Sequence, residues 1–312
     1  MSFRSRLRPI RRALAPPIEL IWRTLFTLAG WSRRSQVRVW ASAGGAHVLV
    51  LAPHPDDEAI GCGGTMLRHV QAADRVTIAI ATDGRRSGAI PDPSLMAARR
   101  RSEAVEAARL LRSTDLRWIG LPEGEWTVLQ MRDALVDELE RLQPDLVYAP
   151  SRVDFHPEHR KVAHALALAL ECSAHRPASL RVYQIQVPLT AALVNVVSDI
   201  TAVLEESEAA LRAYASQSGS IESTHRRRRY SARLQGLRGA AEEFWELSVH
   251  GYIELHRDPP AQWRDEYRGL RLFPLTDPLA WLVGGAGRRK LHAQLGRGSA
   301  QCDTQPSLQA SR

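Results

Sequence analysis

The chain has 312 residues, 44% of them apolar and 24% charged, with a formal net charge of +8; these are ordinary globular proportions, and the length suffices to bury a full core. Three cysteines, Cys62, Cys172 and Cys302, are odd in number and scattered, which excludes a disulfide framework and makes a reducing compartment the default. The charge is local: residues 1–40 hold nine Arg and one Glu while the remainder balances, so a nucleic-acid partner is not expected, because the basic flank carries no nucleic-acid motif.

In chain order, residues 1–45 form a basic N-terminal segment. Behind Pro16-Pro17, Ile18, Ile21, Trp22, Leu25 and Ala29 recur at helical spacing, with Glu19, Arg23 and Thr27 on other faces. A basic, Trp-bearing amphipathic helix can lie on an anionic membrane surface. It can equally pack on the domain that follows, and both readings stay open. Glu19 and Arg23 interrupt the apolar stretch, against a signal peptide, and the run is too short to span a bilayer. The expected location is cytoplasmic, peripheral on the inner face of the membrane if the helix binds lipid.

Residues 46–255 read as one domain. Strands are expected at 47–52, 76–82, 116–119 and 146–149, and helices at 60–73, 95–111, 129–142 and 159–171. This alternation predicts an α/β fold with a Rossmann-like, mostly parallel sheet and helices on both faces. Beyond Pro177, residues 181–187 alternate as a further strand, 195–200 lead into a helix at 201–214, and 225–247 read as another helix. That last helix opens with Arg226 to Arg229, either an exposed charged face or an anion contact. Residues 256–312 form a C-terminal extension that reads as partly disordered, since glycine, basic and small polar residues dominate from 284 onward.

Two loops carry the chemistry. The apolar run 47–52 ends in Pro53-His54-Pro55-Asp56-Asp57-Glu58, and the apolar run 145–149 leads through Pro150 to Asp154-Phe155-His156-Pro157-Glu158-His159. In an open parallel sheet, loops after strands share one edge, so the two can converge. A catalytic zinc takes three protein ligands and keeps a position for water. His54, Asp57 and His159 fit that recipe for one divalent cation per chain, leaving Asp56 and His156 beside it. Paired acids after a strand also mark magnesium or a helix start, which is the competing reading of Asp57-Glu58. Cys62, among Gly61, Gly63 and Gly64, reads as a small buried thiol. No Lys-Ser/Thr pair follows these glycines, so they read as tight packing and not as a phosphate cradle.

On these residues the chain resembles the LmbE-like superfamily, the GlcNAc-PI de-N-acetylase (PIG-L) relatives, whose hallmark is a Pro-His-Pro-Asp-Asp-Glu loop paired with a later His-Pro-Asp-His loop. His54 to Glu58 match residue by residue, as do His156, Pro157 and His159; Glu158 stands where the family has Asp. Softer matches are Gly61 to Gly64, Thr82-Asp83-Gly84, Arg100 with Glu103, Tyr214 with Ser216-Gln217, and Ala241-Glu242 with Phe244. The resemblance implies a zinc-dependent hydrolase that removes the acetyl group from the nitrogen of an N-acetylglucosamine-like sugar or glycoconjugate, lipid-linked or small and soluble. It implies Asp56 as general base and His156 as oxyanion stabiliser or proton donor. Asp154 and Glu158 are expected as supporting acids, Glu158 by raising the imidazolium fraction of His156. Arg85, Arg86 and Arg100 are expected as supporting or substrate-binding residues. A non-catalytic carbohydrate-binding relative would be expected to lose a ligand or the base, and nothing is lost here.

Overall fold

The computed structural model describes residues 37–113, 115–189 and 193–257, together with Leu20, Thr24, Thr27 and Leu28. The N-terminal helix expected at 18–29 and the C-terminal extension lie otherwise outside the described residues. In chain order the elements are β1 (Arg38–Val39), β2 (His47–Ala52), α1 (Asp57–Gln71), β3 (Arg75–Thr82), α2 (Pro93–Leu110), β4 (Asp115–Leu121), α3 (Val128–Leu142), β5 (Leu146–Pro150) and α4 (Pro157–Cys172). There follow β6 (Ser179–Tyr183), β7 (Val196–Asp199), α5 (Leu204–Ala213), α6 (Ile221–Leu234), β8 (Ala241–Leu247) and α7 (Val249–His256). The strands make one sheet in the order β1-β7-β8-β6-β5-β2-β3-β4. All neighbours are parallel except β8, which runs antiparallel to both β6 and β7.

β2 shows why the sheet is buried on both faces. Its β-branched and Leu side chains alternate between two cores: Val48, Val50 and Ala52 meet α1, α2 and α5, whereas Leu49 and Leu51 meet α3, α4 and α7. Each such Val or Leu side chain, withdrawn from water, contributes roughly 1.5–3 kcal/mol. Pro53 and Pro55 then stop the strand, and α1 begins at once with Asp57 and Glu58 in its first turn and Arg68 and His69 in its last, matching the helix dipole at both ends. Thr127 and Gln130 cap α3 reciprocally, and Asp92 caps α2 ahead of Pro93.

The chain leaves β2 outward through β3 and β4, then returns to β5 on the other side of β2. β2 and β5 are thus adjacent strands whose following loops diverge, the topological switch point at which open α/β sheets place their sites. Among the described residues no helix is long and apolar enough to cross a membrane.

One expected element is wrong. Residues 225–247 are not a continuous helix: α6 ends at Leu234, and Ala241–Leu247 form β8. Gly236 and Gly239, at φ 70° and 85°, adopt the left-handed backbone that ends the helix. The acidic residues that obscured the strand are satisfied internally. Glu242 pairs with Arg228, Glu243 accepts from Ser231 and Gln235, and Glu246 accepts from Arg181 and Arg38. The arginine run is corrected with it: Arg227 and Arg228 are buried, so it is neither a uniformly exposed face nor, at those two positions, available to an external anion.

The glycines of α1 serve close packing, as expected. A Cβ on Gly61 would stand 2.1 Å from the Tyr183 ring, and one on Gly64 2.6 Å from Ile200. Tyr183 cannot retreat without giving up the hydrogen bond its hydroxyl donates to the Leu51 carbonyl. Gly61→Ala is therefore expected to cost about 1–3 kcal/mol of stability, the usual range for overpacking. An unchanged urea midpoint would contradict this packing account.

Candidate active site

His54 leaves the end of β2 in a loop fastened to the neighbouring strand, since the Pro53 carbonyl accepts from both the backbone N–H and the hydroxyl of Thr82. Asp57 is the first residue of α1, and its Oδ2 accepts from the His54 backbone N–H at 2.9 Å. His159 lies in the first turn of α4, which His156 caps. These elements bring three donor atoms together. His54 Nδ1 and His159 Nε2 are 3.1 Å apart, and each lies 3.3 Å from Asp57 Oδ2. A tetrahedral zinc with bonds of about 2.0–2.2 Å needs donor atoms spaced about 3.3–3.6 Å apart. The triangle fits one such cation with a position to spare.

Surrounding carboxylates orient the rings. His159 Nδ1 lies 3.0 Å from Asp154 Oδ1, which leaves its Nε2 lone pair for a cation, the usual arrangement around a metal-binding imidazole. Asp154 is itself held by the backbone N–H groups of His156 and Gln186. On its far side, His54 Nε2 lies 3.5 Å from Glu123 and 3.7 Å from Glu158. Two other sets also cluster: His54, His156 and His159, and His54, Glu123 and Glu158. In the second set the carboxylates already have donors, the Arg86 N–H on Glu123 and the Gly124 N–H with the Trp126 indole on Glu158.

The charges follow from this crowding. Burial alone would lower the His159 imidazole, but Asp57 and Asp154 outweigh it and raise its pKa to about 9. His54 is likewise raised, its burial overcome by Asp57, Glu123 and Glu158. Burial would raise Asp57, yet the two imidazoles hold it well below the usual carboxylate range. Its neighbour behaves oppositely: burial pushes Asp56 up to about 6, although Arg100 opposes the shift. Asp56 has φ 128°, a backbone state L-residues rarely adopt and one that concentrates at functional sites. Two contacts hold it there. Arg100 donates to the Pro55 carbonyl and, at 2.8 Å, to Asp56 Oδ1, while the Asp56 N–H donates to Glu58 Oε2. Glu58, pushed to about 7 by burial, accepts in turn from the Tyr214 hydroxyl.

A family model described as GlcNAc-PI de-N-acetylase matches residues 49–170, the span from β2 through most of α4. A conserved protein of Thermus thermophilus has 30% sequence identity and TM-score 0.57, over 64% of this chain and 94% of that one. The chain belongs to the GlcNAc-PI de-N-acetylase family. Among its curated relatives is a 1D-myo-inositol 2-acetamido-2-deoxy-alpha-D-glucopyranoside deacetylase of Kineococcus radiotolerans, 36% identical over 25% of this chain and 23% of that one. A Bacillus cereus protein named "Probable N-acetyl-alpha-D-glucosaminyl L-malate deacetylase 2" is 28% identical over 64% of this chain and 96% of its own length. The chain thus spans about a quarter of the first relative, and 59% of a Bacillus anthracis namesake of the second. An N,N'-diacetylchitobiose deacetylase of Pyrococcus horikoshii, 24% identical over 66% of this chain and 85% of that one, shares the fold at TM-score 0.60.

Of the residues that the family resemblance singles out, His54, Asp57 and His159 meet directly, and Asp56, Asp154 and His156 adjoin them. The expectation for Glu158 is corrected. Its carboxylate turns away from His156 to Gly124 and Trp126, and His156 is lowered to about 4 by burial and by the neighbouring His54 and His159 charges. His156 Nδ1 accepts from the Glu158 backbone N–H, so the neutral ring carries its proton on Nε2. Arg100 is buried and supports Asp56. Arg85 is held by Asp83, whereas the Arg86 side chain is 57% exposed. Glu123 escaped the sequence reading, although it stands two residues past β4, in the same post-strand position that singled out His54.

These pKa directions carry a prediction. In the cation-free protein His159 holds a proton below about pH 9, and His54 is raised in the same sense, so a cation must displace protons to bind. Zinc affinity is expected to rise steadily between pH 6 and 9, with proton release visible when binding heats are compared in buffers of different ionisation enthalpy. A pH-independent affinity would show that binding displaces no imidazole protons.

Proposed function

We propose that this chain is a zinc-dependent hydrolase removing the N-acetyl group of an N-acetylglucosamine-like sugar or glycoconjugate, with one cation held by His54, Asp57 and His159. The observation that carries the reading is the triangle of two imidazole nitrogens and one carboxylate oxygen at 3.1–3.3 Å, bordered by a separate, strained Asp56. When bound, a divalent cation supplies Lewis-acid polarisation of the amide carbonyl and acidifies water.

The chain's own residues do the rest. Asp56 takes the proton of the attacking water: Arg100 engages its Oδ1, which fixes the carboxylate plane and leaves Oδ2 to act as base. Burial that raises its pKa also raises its basicity toward working pH, which favours proton transfer. His156 presents its Nε2–H as a hydrogen bond where charge builds on the carbonyl oxygen, and the proton that Asp56 took from the water passes to the departing amine as the C–N bond breaks. Being depressed, its pKa makes it a neutral donor at pH 7. To Arg86, whose side chain is 57% exposed near Glu125, we assign contact with the rest of the conjugate. The GlcNAc-inositol and GlcNAc-malate substrates in the relatives' names support an amino sugar carrying a polar aglycone. A lipid-linked sugar is the alternative, and a panel including both discriminates them. Catalysis is assigned to residues 46–255.

Asp56→Asn should retain zinc and fold yet lose on the order of a hundredfold or more in turnover, the usual contribution of a positioned base; His156→Ala should fall chiefly in turnover too. His54→Ala, Asp57→Ala and His159→Ala should each lose zinc. Amine release from N-acetyl sugars, read beside metal content, checks this. Wild-type turnover by Asp56→Asn would remove it from the base role.

A further inference from the structure

We infer that Glu242, Arg228 and Arg227 are positioning residues for the cation, acting through α1 from a part of the chain that the family model does not match. The inference rests on Asp57 being a ligand. Asp57 opens α1, and α1 is an intrinsically weak helix because Gly61, Gly63 and Gly64 fall within its first eight residues; each glycine costs about 1 kcal/mol of helix propensity relative to Ala. Something else must hold its first two turns rigid.

That support is polar and buried. The Glu242 carboxylate, on β8, accepts from the backbone N–H of Gly64 at 3.1 Å, the N–H of Thr65 at 2.8 Å and the Thr65 hydroxyl at 2.6 Å. Arg228, on α6 and 0% exposed, donates to the Ala59 carbonyl at 2.8 Å and pairs with Glu242 at 2.7 Å. Arg227 donates to the Ile60 carbonyl and to that of Gln184, just past β6. An anion and two cations thus grip the donors and acceptors of one glycine-rich stretch. The missing Cβ of Gly63 makes room, since a Cβ there would lie 3.1 Å from Arg228 Nη2.

A buried ion pair is weak evidence for stability, because its desolvation offsets most of its Coulombic gain. What this one does supply is geometry. Ala59 and Ile60, the residues gripped by the two arginines, follow Asp57 within one helical turn, so a shift there re-aims the carboxylate against His54 and His159. Residues that orient metal ligands from behind typically change metal affinity ten- to a hundredfold when altered.

The test measures zinc Kd by chelator competition, and kcat and KM at saturating zinc, for Glu242→Gln, Arg228→Lys and the milder Gly63→Ala. Thr127→Ala serves as control: it removes the α3 cap, lowering stability without touching α1. Glu242→Gln and Arg228→Lys are expected to raise zinc Kd roughly tenfold or more and Gly63→Ala several-fold, with saturating zinc restoring kcat and with KM unchanged. Thr127→Ala should leave Kd as in the wild type. If the first two variants do not fold, Gly63→Ala decides. Folded variants with wild-type Kd overturn the inference, provided Asp57→Ala loses zinc; retention of zinc by Asp57→Ala condemns the ligand assignment instead.

Discussion

The site depends on β2 and β5 pairing side by side in one register. Val48, Leu49 and Val50 align with Leu146, Val147 and Tyr148, and this alone brings His54 within reach of His159, 105 positions away. The register is fixed by burial on both faces. Sliding β2 by one residue would send Val48 and Val50 into the layer that Leu49 and Leu51 fill, reversing every side chain and turning His54 away from the crevice. The two proline-interrupted loops then inherit their aim from strands that cannot slip.

On that frame, Asp56 and Asp57 acquire opposite characters. Asp57 sits at the start of a helix facing two imidazoles, and its carboxyl is driven down. Asp56 is turned by its positive φ toward Arg100, has no imidazole at bonding distance among the described residues, and is driven up by burial. Adjacent acids whose environments push their pKa values apart are suited to different tasks, one to hold charge and one to exchange protons. The ring of Asp154, Glu123 and Glu158 behind the imidazoles gathers negative charge, so the proposed cation would find its site assembled only in the folded chain. Cation binding to the folded chain should accordingly also stabilise it.

Much of this was legible from residues alone, and the exceptions share a cause. Strands β2 to β5 announce themselves as apolar runs, and the Pro-His-Pro-Asp-Asp-Glu string names its own residues. Helix α1 began three residues earlier than its apolar pattern, because Asp57 and Glu58 serve as both site residues and helix start. β8 was hidden because Glu242, Glu243 and Glu246 look solvent-facing until the arginines, serine and glutamine that meet them are placed by folding. Arg227 and Arg228 were hidden by the same pairing seen from the other side. The Glu158 carboxylate went astray because its partners, Gly124 and Trp126, come from a loop after a different strand. Apart from the start of α1, in each case a buried polar group was read without the partner that makes its burial possible, and such partners are set by tertiary contact.

The central claim is that the cation sees two imidazoles and one carboxylate. X-ray absorption on protein loaded with one equivalent of zinc counts them directly. The account predicts two imidazole nitrogens at about 2.0–2.1 Å and oxygen filling the remaining positions, unchanged in His156→Ala. Three imidazoles in the wild type, falling to two in His156→Ala, would place zinc on the histidine triad instead and contradict it.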